Sequence, residues 1–378
     1  MNYEGEGYSE NTCSVKTDYL SNEGKLRQRI QTEAVDGFEA RQVKPVCFLF
    51  GQKAEADFCG SAGTILGTIQ RTLIPGTFLF ILAVGLTLNM PIIWILVFRV
   101  KRWNRSTVFL CNLVLADIAW ILTLPFLISY HLNQLHWIFG DALCKITRII
   151  YHVCYYCSIY FVTCLSVDRY LAIVHPLKSL WLLNKQQSLL ICLSVWAVTS
   201  LASVPIPYVA STQICPDNKT ICSLYVFSSS TYITLPLSMC CTVVGCLLPF
   251  VAICYCYCSS VRTLRKTGLH HFQKRDKLTK LMYSVLIIFA LLYFPYHLSR
   301  NTCIFLRALW PSASRSIEHA DTVFFVEVAV CSLNTCINPL FCFLSGGDFR
   351  DQVCKIASSY CHTRTWRSQQ QRTSVYPV

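Results

Sequence analysis

The sequence predicts an all-α membrane protein: a seven-transmembrane helix bundle with a short amphipathic eighth helix. Three observations carry that reading. Of 378 residues, 53% are hydrophobic and only 14% are charged, whereas soluble domains average about 25% charged residues. Seven mostly apolar runs, 72–98, 106–131, 141–174, 188–210, 232–260, 278–306 and 321–344, reach the roughly 20 residues that a helix needs to cross a bilayer. The connectors between the runs are basic on one side and poor in basic residues on the other.

Lipid offers the backbone no hydrogen-bond partners, so each run is forced into a helix that satisfies its own amides. Orientation follows from the connectors. The first holds Arg99, Lys101, Arg102 and Arg105, and the fifth holds Arg262, Arg265, Lys266, Lys274, Arg275, Lys277 and Lys280 against Asp276. The tail adds Arg350, Lys355, Arg364, Arg367 and Arg372. Basic connectors stay in the cytoplasm, which puts the N-terminus outside and the C-terminus inside. The net charge of +13 therefore reads as topology charge, and no nucleic-acid partner is expected.

The chain divides into a flexible extracellular segment 1–71, the bundle 72–345, and an amphipathic helix with a cytoplasmic tail, 346–378. The first 70 residues hold no apolar h-region, so the first span is expected to act as the targeting signal. Other membrane classes fit poorly. No internal repeat suggests a transporter, and no filter loop suggests a channel. His131, His152 and His297 lack metal-site spacing, no Ser-His-Asp set or carboxylate pair is evident, and no enzyme is expected.

Most of the 23 cysteines lie in apolar runs, such as Cys240, Cys241, Cys246, Cys254, Cys256 and Cys258. They read as free thiols acting as small apolar residues, with a few loop cysteines left for disulfides. Asn218-Lys219-Thr220, after the fourth span, is a glycosylation sequon on the predicted outer side. Asn104-Arg105-Ser106 also matches, but on the cytoplasmic side, where it is expected to stay unmodified.

Asp168-Arg169-Tyr170 closes the third span at its cytoplasmic boundary. An ionisable pair at that depth is costly and points to function. Further out, Arg148, His152 and Tyr155 share one helix face at i, i+4 and i+7. In the sixth span Tyr293, Tyr296 or His297, and Arg300 repeat the spacing. In a bundle both faces point into the outer cavity. Two guanidiniums in a low-dielectric cavity favour a bidentate anion. The other reading pairs them with Glu327, Asp321 or lipid headgroups.

Asn89, Leu115-Ala116-Asp117, Cys144, Arg169, Trp196, Pro249, Tyr257, Phe289, Pro295 and Asn338-Pro339 follow one another in a specific order and spacing. In this the chain resembles the rhodopsin-like G protein-coupled receptors, over about residues 72–358. The resemblance implies a plasma-membrane receptor that activates a heterotrimeric G protein and meets arrestin and receptor kinases. Asp168, Arg169, Tyr170, Tyr257, Phe289, Tyr293, Pro295, Asn338 and Pro339 would form the activation machinery. Arg169 would be freed to meet the G protein, with Tyr257 beside it. Prolines 249, 295 and 339 each cost a backbone hydrogen bond and create bend points. Asp117, Ser158, Asn334 and Asn338 resemble the family's allosteric sodium pocket, the sole cofactor site implied; a proton on Asp117 is the other way to bury that carboxyl. Cys144 resembles the helix-three half of an extracellular disulfide. The loop after the fourth span offers Cys215 and Cys222, and relatives with Asn-x-Thr shortly before the cysteine favour Cys222. Cys59 and Cys303 are candidates for a second bridge.

A narrower resemblance lies in Trp137–Lys145, His175–Leu180, Pro295–Asn301 and Gly347–Asp351. These are similar to the cluster of purinergic nucleotide, succinate and 2-oxoglutarate receptors. It implies a small anionic extracellular ligand held by Arg148, His152, Tyr155, Tyr296, His297 and Arg300. The chain departs from the pattern in three places. Tyr293 stands where the family usually has Trp, Cys342 where it has Tyr, and Val328, preceded by Glu327, where the cluster has a further Arg. The departures at Cys342 and Val328 motivate the alternative of a constitutively active or scavenging receptor without a soluble anionic agonist; the aromatic variant at Tyr293 is common among nucleotide-receptor relatives. Gly347-Asp348-Phe349-Arg350 is expected to open the eighth helix, with Cys354 and Cys361 as palmitoylation candidates.

Overall fold

The computed structural model describes residues 65–345 except 101–102, 178, 180–183, 211, 216–217, 229–230 and 267–282, with the backbone alone given for 341–345. The predicted eighth helix, Cys59, Cys354, Cys361 and the cytoplasmic tail lie outside the described residues.

Helices occupy all seven predicted runs. They are α1 (Ile65–Phe98), α2 (Arg105–Leu132), α3 (Gly140–Val174), α4 (Lys185–Val209), α5 (Thr231–Lys266), α6 (283–309) and α7 (Ser314–Ser332, continued by Asn334–Ser345). Six of them are long and apolar enough to cross a membrane; α6 is not among these six. It carries His297, Arg300 and Arg307 in its second half, and residues 267–282 before it are not described. Several helices outrun their apolar runs. α1 starts at Ile65 and α7 at Ser314, both ahead of the predicted boundaries. Hydropathy marks the lipid-facing stretch, whereas the hydrogen-bonded helix continues past it.

Local chemistry sets the ends. The Asn104 side chain caps α2 by accepting from the Thr107 amide at 2.9 Å. Asn184 and Gln187 close a reciprocal capping box on α4, each bond 2.8 Å. Gly140 begins α3 at φ 79°, where a side chain would be strained.

Proline shapes the interior. Wide π turns at Ile69–Leu73, Val243–Leu247 and Phe289–Tyr293 end two residues before Pro75, Pro249 and Pro295. The missing proline amide is thus absorbed by a local change of winding. α2 breaks at 122–123, ahead of Pro125, and α7 breaks at Leu333, ahead of Pro339.

The bundle carries large apolar side chains on its outside and, within its apolar core, a set of buried polar ones. Phe98, Leu193, Leu201 and Val251 are 62–73% exposed, a pattern that only lipid would satisfy. Asn89, Asp117, Ser158, Arg300 and Asn338 are buried at 0–2%. They stitch the helices together. Asn89 donates to Gly85 O at 2.9 Å and to Thr335 O at 3.1 Å, tying α1 to α7. Trp196 Nε1 donates to Asn112 Oδ1 at 3.0 Å, tying α4 to α2. Gly245 lets α5 approach α3 so closely that a Cβ there would overlap the Tyr156 ring.

Between α4 and α5 the chain forms an antiparallel hairpin, β1 (Thr212–Ile214) and β2 (Thr220–Cys222), with Gln213 opposite Ile221. Cys222 is bonded to Cys144 at the start of α3, S–S 1.98 Å, and the Trp137 amide donates to Thr220 O at 2.7 Å. The hairpin is therefore pinned over this end of the bundle.

Candidate functional site

At the disulfide end, α1, α2, α3, α7 and the hairpin enclose a cavity of about 540 Å³, its open mouth included. Arg148, one turn below Cys144, projects into it. Its Nη2 donates to Cys222 O at 2.8 Å, while its Nε is buried with no partner. Aromatic rings dominate the remaining wall: Phe78, Trp120, Tyr130, Tyr151, Phe227 and Phe325.

The structure separates the predicted ligand set. Of the six residues, Arg148 alone lines this cavity. His152 turns towards α4 and α5, with Nδ1 at 2.7 Å from Ser203 Oγ and Nε2 at 3.7 Å from Cys241 Sγ. Tyr155 and Tyr296 pack against each other at 5.0 Å and are 7% and 3% exposed. Periodicity placed each residue on an inward face, but helix packing decides which neighbour that face meets.

Arg300 is fully buried on α6. Its Nε donates to Ser238 Oγ at 3.0 Å and its Nη1 to Tyr156 Oη at 2.7 Å. Its Nη2 donates to Ser238 O and Thr242 Oγ1, each 3.0 Å, and to His297 Nδ1 at 2.9 Å. The guanidinium also lies 5.6 Å from the Tyr296 ring centroid. Every partner is neutral. Neither Arg148 nor Arg300 forms an ion pair with a described acid. Asp321 instead pairs with Arg307 at 2.5 Å, and Glu327 keeps Oε2 buried without a partner.

Deeper in the bundle a second, small cavity is bounded by Asp117, Ser158 and Asn334. Asn338 Nδ2 donates to both Asp117 oxygens at 2.9 and 3.0 Å and to Ser158 Oγ at 3.0 Å. Asn334 Nδ2 donates to Tyr293 Oη at 3.2 Å. The Asp117 carboxyl, 2% exposed, thus has an amide and no described cation beside it. One carboxylate with neutral oxygens suits a monovalent ion. Among the described residues no group of three or more His, Cys, Asp or Glu could hold a metal ion.

At the opposite end Asp168, 1% exposed, is gripped from two helices. Arg105 Nε lies 3.1 Å away, Arg169 Nη2 3.3 Å, and Ser106 Oγ donates at 2.6 Å. Arg169 also donates to Ser106, and Arg105 to Ser179 O. Arg105 and Ser106 went unread as partners because the sequence shows them as loop charge and part of a sequon. Tyr170 packs against Tyr255 at 5.7 Å. Tyr257 is half-buried, with no described hydrogen bond to Arg169. On α6, Phe289 packs against Tyr293 at 4.9 Å, just before Pro295.

A family model, 7 transmembrane receptor (rhodopsin family), matches residues 88–341. The chain belongs to the rhodopsin family of seven-transmembrane receptors. It is a G protein-coupled receptor, a multi-pass plasma-membrane protein and not an enzyme. The type 1 purinoceptor of Homo sapiens is 36% identical over 290 residues, 76% of this chain and 77% of the relative. That of Cavia porcellus is 36% identical over 331 residues, 85% and 88%. The type 4 purinoceptor of Mus musculus is 29% identical over 291 residues, 74% and 78%.

The receptor's cysteines follow the expected pattern in one bridge and depart from it in another. Cys144–Cys222 is formed. Cys303, a candidate for the second bridge, is instead a free thiol, fully buried on α6 where Arg307 donates to its carbonyl at 3.3 Å. Cys215 is disulfide-bonded, with a partner outside the described residues. Asn218 is exposed at the hairpin turn with φ 61°, a conformation that Asn tolerates.

Proposed function

We propose that this receptor senses a small anionic extracellular metabolite, of the nucleotide or carboxylate kind, at the end bearing Cys144–Cys222. The observation that carries the reading is Arg148, which lines the cavity at that end with its Nε unpartnered and no described acid paired with it. A cation left without a counter-charge in a low-dielectric site gains most from an arriving anion. Its relatives are named purinoceptors, which puts nucleotides in the first group of compounds to test. The resemblance to succinate and 2-oxoglutarate receptors adds dicarboxylates.

In this reading the N-terminus and hairpin face outward and Asn218 carries a glycan. The Arg169 end faces the G protein, arrestin and receptor kinases. Sodium binds at Asp117 with Ser158, Asn334 and Asn338 and stabilises the resting state. The activation set, Asp168, Arg169, Tyr170, Tyr257, Phe289, Tyr293, Pro295, Asn338 and Pro339, links the two ends.

Calcium and cyclic-AMP responses to succinate, 2-oxoglutarate, ADP, ATP, UDP, UTP and a set of aryl monocarboxylates test the proposal in cells expressing the parent or Arg148→Ala. A response in the parent that Arg148→Ala weakens at least tenfold supports it. Silence at verified surface expression, or responses indifferent to the substitution, would leave a constitutive or scavenging receptor in its place.

A further inference from the structure

The cavity at Arg148 has a composition that separates among anions. Among the described residues Arg148 is the sole guanidinium or ammonium in its wall. Arg300 does not reach it, and each of its nitrogens is already engaged by Tyr156, Ser238, Thr242 or His297. Across the cavity α7 presents Phe325 and Val328, hydrocarbon where a second cation would be needed. A ligand with two carboxylates, or a di- or triphosphate, would leave charge buried against that apolar wall, at a large desolvation cost.

The wall has unused neutral hydrogen-bonding capacity as well. Gln70, fully buried in the first π turn, keeps both its amide nitrogen and its amide oxygen without a partner, and it lines the cavity. His131, 7% exposed, lines it too and keeps Nδ1 unpartnered. Buried polar atoms are nearly always satisfied, so two such side chains around one space indicate a ligand that satisfies them. The rest of the wall is largely aromatic and aliphatic, the kind of lining that small-molecule sites present.

We infer that the cavity between α1, α2, α3 and α7 takes an amphipathic monocarboxylate. Its single carboxylate binds Arg148, a neutral amide or hydroxyl group meets Gln70 and His131, and an apolar or aryl body fills the space against Phe78, Trp120 and Phe325. This inference rests on the anion-sensing reading and narrows its ligand class.

The test uses purified full-length receptor and ligand-induced thermal stabilisation, which needs no knowledge of the coupled G protein. The probes are N-benzoylglycine, with an aryl ring, an amide and one carboxylate; N-benzoylaspartate, which adds a second carboxylate to the same body; and ADP. Half-maximal stabilisation by N-benzoylglycine is expected at least tenfold below that of either other probe. Arg148→Ala should abolish it, and Gln70→Leu should weaken it about tenfold. Val328→Arg, supplying the second cation, should reverse the order in favour of N-benzoylaspartate. Should that variant fail to fold, the parent's preference and the Gln70→Leu shift decide. Tighter binding of N-benzoylaspartate or ADP by the parent, lost in Arg148→Ala, would overturn the monocarboxylate assignment and leave anion sensing intact. Stabilisation by none of the probes, or stabilisation untouched by Arg148→Ala, would remove both.

Discussion

Arg300 shows how a single residue can be read correctly for chemistry and incompletely for place. Its spacing with Tyr293 and Tyr296 put it on the inner face of α6, and there it lies. Its partners were illegible, because Tyr156, Ser238 and Thr242 come from helices far away in sequence, and their register is set by packing. The structure makes Arg300 a tie between α3, α5 and α6. Truncation would leave several buried polar groups unpaired, each costing roughly 1–3 kcal/mol. Arg300→Ala is therefore expected to lower the melting temperature of purified receptor more than Arg148→Ala, whose guanidinium donates to the Cys222 carbonyl alone among the described groups; equal stability would contradict this account. Asp117 carries a second prediction at this scale. Its buried carboxylate faces an amide and no described cation, so sodium should raise the melting temperature of the parent, in a potassium-balanced comparison, and leave Asp117→Asn unchanged. A sodium effect that survives the substitution would place the ion elsewhere.

Among the elements, the number and placement of the helices were plain in the sequence, because lipid makes hydropathy a direct readout of where the chain must be helical. Their ends were less plain. α1 and α7 continue beyond the apolar runs, and hydropathy cannot see helix that lies outside lipid. The prolines were recognised as bend points, but not the form the bends take. Two of them, Pro249 and Pro295, follow wide π turns, as does Pro75, which was not read as a bend point, a winding that local sequence does not encode. The close approach of α5 to α3 at Gly245 was also unread, since it depends on a ring from another helix. A methyl there would overlap Tyr156, and overpacking costs about 1–3 kcal/mol. Gly245→Ala should destabilise the receptor by that order in a denaturation series. Because Tyr156 binds Arg300, Gly245→Ala combined with Arg300→Ala should cost less than the sum of the two. Strict additivity would mean that the two sites are independent.

Over the whole molecule, the two ends differ in chemistry and are joined by a polar seam. The disulfide end holds a cavity with one cation and unsatisfied neutral groups. The opposite end holds Asp168 between Arg105 and Arg169, and releasing Arg169 would require breaking contacts to both Asp168 and Ser106. Between them lie Asp117, Asn338, Asn334 and Tyr293. Trp120 and Tyr151 line both cavities, so a ligand pressing on either ring would reach the wall of the proposed sodium pocket. The family was legible from ordered motifs, and comparison with known proteins bears it out. The division of the predicted ligand set between separate environments was not legible, because one helix face can meet several neighbours along its length.

The measurement that bears most directly on the central claim is nucleotide exchange on heterotrimeric G proteins in membranes containing the receptor, with and without an anionic agonist. The account predicts that agonist accelerates exchange in the parent. Arg148→Ala should shift the agonist concentration needed by at least tenfold, whereas Arg169→Ala should abolish stimulated exchange while leaving agonist binding intact. Exchange that is indifferent to Arg169, or agonist binding that is indifferent to Arg148, would contradict it.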